Sequence, residues 1–486
     1  MVLGAVIGYL LLTLVIGFAA SRLVRSSKDF IVAGRSLPLS MTSMALFATW
    51  FGAETMLGAS TRVQHEGLMG AIEDPFGASL CLVLIGAFFA RPLYRSGLYT
   101  FGDFFRVRYG RTAEMIGSLF IVISYFGWVA AQIVALGILF HSLTGFSVQV
   151  SMGIGFSLVV FYTFLGGMWA VSITDFVQTL IILASLVVLC WVILGKAGGL
   201  DAVLADRPEG FFSLWPEPGF RPMVEYLSAW AAIGLGSIPQ QDLFQRVNSA
   251  KSEKIAVRGA WIAAGLYLTV AAMPLLLALA VRNIDPSLYD LPDRQFVLPA
   301  LVRTHASPFL QILFYGALLS AILSTSSAAV LAPAVILSEN FLKPWFPRLT
   351  DRGFLWMNRL CVVIIGAIAF SLALPASHEA IGEGAREAGG LPSIFELVAD
   401  SYVATLVGLL APLTAGIWWR RATHLGAVAS MITGILVWAV MNYLLDLGWA
   451  ARLSGLLASI VALVGVSLLD PTPPRAQVSQ TAPTGP

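Results

Sequence analysis

The chain has 486 residues, 58% of them hydrophobic and 12% charged, with a formal net charge of +2 and a mean hydropathy of +0.83. A soluble globular chain carries about 25% charged residues, so this deficit excludes an ordinary soluble domain and points to a polytopic membrane protein, while the lack of a basic block argues against a nucleic-acid partner. Short alternating segments between turns are missing, which argues against a membrane barrel, and Cys81, Cys190 and Cys361 lie in apolar runs without metal-ligand or disulfide spacing.

A membrane-spanning helix needs about 20 predominantly apolar residues, and thirteen such segments are expected: 2–21, 40–60, 70–94, 113–140, 147–170, 174–195, 223–245, 255–281, 307–340, 354–376, 393–418, 424–444 and 450–469. They are called spans 1 to 13. Span 1 lacks a basic start and is longer than a signal-peptide core, so it is expected to be retained. The Pro-rich end after residue 470 reads as a disordered tail. With the N-terminus outside, the basic clusters Arg22–Arg35, Arg91–Arg111, Arg246–Arg258 and Lys343–Arg359 all fall on the inner side, with Arg420, Arg421 and Arg475. The positive-inside rule therefore favours thirteen spans, N-terminus out and C-terminus in.

Span 2, "MALFATWFGAETMLGAS", carries Gly52, Gly58 and the acid Glu54 at its middle; span 7, "LSAWAAIGLGSIPQQDLF", carries Gly234, Gly236 and Pro239. Proline removes a helical donor and glycine tolerates unwound backbone, so both are expected to be broken. Each opens a possible five-span unit, spans 2–6 and 7–11. An odd number of helices per unit inverts the second unit, and matched broken helices in inverted halves mark a transporter binding site. The implied division is 1–35 for the first span and inner loop, 36–222 for the first repeat and an outer loop, 223–418 for the second repeat, 419–470 for two peripheral spans, and 471–486 for the tail.

Span 9 reads "GALLSAILSTSSAAVLAP", with five hydroxyls in eight residues and the helix-breaking Pro333 after them. Ala321, Ser324, Thr325 and Ala328 share one helical face. Small residues and hydroxyls serve helix packing and back-bonding to the preceding turn. They also suit Na⁺, a hard cation that takes neutral oxygens, with further carbonyls from an unwound neighbour.

Several long motifs in order identify the chain as resembling the sodium:solute symporter family, whose fold is the leucine-transporter-like inverted repeat. These are "GRSLPLSMTSMALFATWFGAET", "GGMWAVSITDFVQTLI", "IPQQDLFQRVNSAKSEK" and "SAILSTSSAAVL". The resemblance implies an all-α sodium-coupled symporter in a cell membrane, acting by alternating access on a small polar or cationic solute and working as a monomer. It implies a Na⁺ site from the carbonyls of Ala48, Phe51 and Ala321 and the hydroxyls of Ser324 and Thr325, leaving Ser320, Ser326 and Ser327 as packing residues. Many relatives carry Asp where this chain has Ser327. Asp175, read as an intramembrane acid with no adjacent basic partner, is assigned to cation coupling, since such a residue is functional by default.

Solute is expected beside the two breaks, at Trp50, Glu54, Thr55, Gln240 and Gln241, and at Trp128 in span 4. "ATWFG", "GWVAAQIVALG" and "GSIPQQDLFQRV" resemble the choline-transporter branch in particular, whose aromatic cage Trp50 and Trp128 match. Gln240 stands where that branch has a tryptophan, and Ala78 where it has a tyrosine. The alternatives are a proton-coupled carrier of the same fold, in which Asp175 titrates, and a membrane enzyme, for which only Glu396 and Asp400, one turn apart, offer a carboxylate pair.

Overall fold

Backbone inside a bilayer must satisfy its own hydrogen bonds. Accordingly, the computed structural model, which describes residues 1–291, 294–379 and 394–475, is built of helices and contains no strand among those residues. Among the described residues nine helices are long and apolar enough to cross a membrane, or ten if Ile394–Gly408 and Leu410–Trp418, bent by 45°, form one span. This count is compatible with thirteen segments, because the expected spans are in places interrupted or run together. Span 2 consists of Leu39–Trp50, a break, a π-helical turn Glu54–Ala59 and the helix Ser60–Glu66. Span 7 is Phe220–Gly236, a turn through Pro239, and Gln241–Ser249. Both breaks fall where glycine and proline put them.

Spans 5 and 6 merge into Val148–Lys196 across a kink at Gly167, whose φ is +48°. A Cβ on Gly167 would lie 2.6 Å from the Phe30 carbonyl oxygen, so both the backbone conformation and the close approach require glycine. Span 9, the helix Pro308–Ile336, is the axis of the molecule: its apolar stretch is 100% buried, against 17% for Val2–Ser21 and 22% for Gly448–Leu469 at the periphery. Pro333 does not break it. The helix runs on to Ile336 and into a π-helical turn Leu337–Leu342, because neighbouring helices enclose it on all sides.

At one end the approach to span 2 is laced to the end of span 7. The Leu37 amide donates to Ser249 O (3.0 Å), the Lys251 amide to Leu37 O (2.9 Å), and Gln245 Nε2 to Ile31 O (3.0 Å). At the opposite end of span 7 opens a cavity of about 480 Å³, lined by Glu73, Glu225, Asp400, Trp438, Trp449 and Arg452. The tail from residue 476 lies outside the described residues.

Candidate cation and solute site

The helix of span 2 stops at Phe51, with ψ near 80°. In a continuous helix the Gly52 amide would bond Ala48 O. Here it turns to Trp50 O at 2.9 Å, which frees the Ala48 carbonyl. The Thr325 hydroxyl of span 9 lies 3.4 Å from that oxygen. On the same face, Ser324 Oγ donates to Ala321 O at 2.9 Å. Ala48, Phe51, Ala321, Ser324 and Thr325 are all 0% exposed, and the Thr325–Ala48 contact lies in the interior where the broken helix crosses the hydroxyl-rich one. The other span 9 hydroxyls serve packing: Ser320 meets Tyr9 Oη (2.8 Å), Ser326 back-bonds to Ile322 O (2.6 Å) and Ser327 to Ser324 O (2.9 Å).

Glu54 begins the second half of span 2 and is buried. Trp128 Nε1 donates to its Oε1 at 3.2 Å and Gln132 Nε2 to its Oε2 at 2.7 Å, contacts an ionised carboxylate accepts. Gln132 also accepts from the Ala53 amide (3.3 Å), pinning the first turn after the break. Glu54 Oε2 and Thr325 Oγ1 both lie within 2.7 Å of the point a Gly52 Cβ would occupy, so the carboxylate borders the Thr325 hydroxyl of the candidate cation site. No Lys, Arg or His pairs with Glu54 among the described residues. Trp128 stacks on Tyr125 (5.7 Å) and meets Tyr402 at the same centroid distance, and Tyr125 donates to buried Asp242 of span 7. Trp50 is 2% exposed, and its indole N–H has no acceptor among the described residues.

Gln240 reaches this region through Ser124 Oγ (3.2 Å) and Thr405 Oγ1 (3.4 Å). Gln241 does not. Its amide is taken up by the Phe101 amide (2.9 Å) and Tyr99 O (3.1 Å), because one further residue rotates the side chain out of the break. Thr55 also faces away from Trp128, toward spans 3 and 8: its hydroxyl donates to Asp74 Oδ2 (2.6 Å) and meets Tyr267 Oη (2.9 Å). Asp74 and Tyr267 were not singled out in the sequence. Asp74 sits at the start of span 3, where an acid reads as a loop residue, and Tyr267 is a lone tyrosine in an apolar helix.

Asp175 is fully buried but does have a basic partner, which corrects the reading of an isolated acid. Arg246 Nη2 lies 3.2 Å from its Oδ2, with the two side chains brought together from spans 6 and 7. Arg246 also donates to Ala45 O (3.0 Å) and Asp242 O (3.3 Å), so this member of a basic cluster is an interior residue joining spans 2, 6 and 7. Of the carboxylate pair offered for an enzyme, Asp400 is taken by Arg452 at 3.0 Å at the wall of the cavity of about 480 Å³, and Arg452 also holds Glu73 at 3.0 Å.

A profile of the sodium:solute symporter family matches residues 30–434. The chain belongs to this family. It is 27% identical to the high-affinity choline transporter 1 of Caenorhabditis elegans over 89% of its own length and 76% of that protein's. It is 24% identical to the sodium/proline symporter of Escherichia coli over 98% and 94%. A substrate-bound, outward-open Na⁺-coupled sialic acid symporter shares its fold, with a TM-score of 0.83 over 98% of this chain and 99% of that one at 18% identity. Membership makes the protein a sodium-coupled symporter of a small solute, with Na⁺ as the coupling ion.

Proposed function

We propose that the protein imports a small organic cation bearing an N–H group, with Na⁺ bound by Ala48, Phe51, Ala321, Ser324 and Thr325. The observation that carries this reading is the Thr325 hydroxyl beside the Ala48 carbonyl freed by the break. Neutral oxygens there hold a dehydrated alkali ion without holding it too tightly for release. Glu54 supports the cationic solute. A buried charge without a partner is costly, and a carboxylate walled by Trp128, Tyr125 and Tyr402 recovers that cost when an ammonium enters, with the aromatic faces contributing cation–π attraction. Trp50 and Gln240 line the same region; Thr55 supports it from behind, and Gln241 holds the adjoining backbone.

Alternating access follows from the inverted-repeat division of spans 2–6 and 7–11, with the N-terminus outside, the C-terminus in the cytoplasm and the monomer as the working unit. Sodium clamps spans 2 and 9 and favours the state open to the outer cavity, and solute then binds at the breaks. Asp175 acts in coupling through Arg246: their pair ties the inner halves of spans 2, 6 and 7 and must loosen for inward opening.

One Na⁺ entering down 100 mV supplies about 2.3 kcal/mol, and a tenfold gradient adds about 1.4 kcal/mol. A monovalent cationic solute entering with the ion adds about another 2.3 kcal/mol, and the total of about 6 kcal/mol would concentrate it about ten-thousandfold. The test is uptake of a panel of small amines into sealed vesicles. Concentrative uptake should require an inward sodium gradient and survive collapse of the pH gradient. Uptake driven by a pH gradient in sodium-free buffer would instead support the proton-coupled alternative.

A further inference from the structure

Asp74, Thr55, Tyr267 and the main-chain oxygen of Trp50 converge where span 2 meets spans 3 and 8. Thr55 Oγ1 lies 2.6 Å from Asp74 Oδ2 and 2.9 Å from Tyr267 Oη. Tyr267 Oη lies 2.7 Å from Asp74 Oδ1 and 2.8 Å from Trp50 O. All four residues are at most 2% exposed, and the Phe47 and Phe51 rings close over Tyr267 edge-on at 5.9 and 6.0 Å. Among the described residues no Lys, Arg or His pairs with Asp74; the nearby Arg452 is committed to Glu73 and Asp400.

The protons do not suffice for these contacts. A hydroxyl carries one proton, and an ionised carboxylate and a carbonyl carry none. Four oxygen–oxygen contacts of 2.9 Å or less share the two protons of Thr55 and Tyr267. At least two contacts therefore set lone pairs against each other, and one would remain even with Asp74 protonated. A cation among these oxygens removes the conflict, since every lone pair can turn toward it and the hydroxyl protons can turn away. The donor set is all oxygen, which suits a hard ion. The separations suit a bare ion better than an organic ammonium.

We infer that this cluster is a second alkali-cation site, distinct from the one facing span 9, so that each transport cycle carries two sodium ions. With one carboxylate among its ligands it holds its ion more tightly than the neutral first site. It shares span 2 with that site, since Trp50 and Thr55 flank the break that frees Ala48, so each ion favours the same arrangement of the unwound segment. This inference rests on the sodium-coupled reading, and its test separates the two.

Equilibrium binding of ²²Na⁺ to purified full-length protein, without solute, should give two ions per chain. T55V and Y267F each remove one hydroxyl with little change of shape and should weaken one of the two ions at least tenfold, leaving the other. S324A/T325A should remove that other ion and spare the one held by Asp74. D74N combined with S324A/T325A should bind none. Retention of the Ser324-dependent ion in T55V and Y267F reports that those variants are folded. One ion per chain in the unaltered protein, lost in S324A/T325A and indifferent to T55V and Y267F, would overturn the second site while leaving the first. No bound sodium at all would refute the underlying reading and this inference with it.

Discussion

Removing the Asp175 carboxylate should destabilise the protein far more than removing the whole pair. Arg246 is 1% exposed, and D175A leaves its guanidinium without its ion-pair partner. Breaking a buried pair in this way costs about 3–5 kcal/mol. Arg246 retains the carbonyls of Ala45 and Asp242 as acceptors, and the Asp242 side chain lies one turn back on its own helix, so the lower end, about 3 kcal/mol, is expected. R246M should cost at least as much, because among the described residues Asp175 Oδ1 already lacks a partner and Oδ2 would lose its bond from Arg246. The double variant D175A/R246M removes both charges of the pair; it still takes the neighbouring cation from buried Asp242, yet it should be clearly less destabilised than D175A or R246M alone, because breaking a buried pair costs more than replacing it. Unfolding in mixed detergent micelles, followed by tryptophan fluorescence, gives the three differences. Their cycle should show a coupling of at least about 3 kcal/mol. Additive losses, with the double variant the least stable, would refute the idea that these charges matter chiefly to each other.

Two further outcomes follow from the site. Replacing Ser324 and Thr325 together by alanine should raise the sodium concentration needed to fill the first site, read as the weaker of the two binding steps, by about a hundredfold or more, since contacts of polar groups with a charge contribute about 1.5–3 kcal/mol each and 1.4 kcal/mol is tenfold. E54Q keeps an acceptor for Trp128 but removes the charge; it should weaken uptake of protonated amines at least tenfold in vesicles while leaving sodium-dependent stabilisation largely in place.

Much of the architecture was legible in the chain because its signals are local. Gly52, Gly236 and Pro239 mark the breaks through backbone conformation alone, and the i, i+3, i+4 spacing of Ala321, Ser324 and Thr325 sets one helical face. What could not be read depends on pairing at long range. Arg246 lies in a run of basic residues and reads as a solvated inner cluster, and only the packing of spans 6 and 7 brings it to Asp175. Asp74 gains its setting from Tyr267 of span 8. Gln241 adjoins the break just as Gln240 does, yet the start of the following helix directs it to Tyr99 and Phe101. Pro333 looked like a terminator, but enclosure by neighbouring helices carries span 9 past it.

Gly52 is where the proposed cation and solute sites touch, and that contact is itself testable. A Cβ there would lie 2.6 Å from Glu54 Oε2, 2.7 Å from Thr325 Oγ1 and 3.1 Å from Thr325 Cβ. The Glu54 carboxylate could swing away, but only by giving up Trp128 or Gln132. Thr325 Cβ is bonded directly to the buried backbone of span 9 and cannot yield without moving the helix. G52A should therefore cost about 1–3 kcal/mol in strain. Its effect should fall on sodium-dependent stabilisation and amine uptake together, whereas E54Q should spare the first. A G52A protein that keeps both would mean that the break does not press against Thr325. A protein that loses amine uptake alone would mean that Glu54 moves freely and the two sites are not coupled through this glycine.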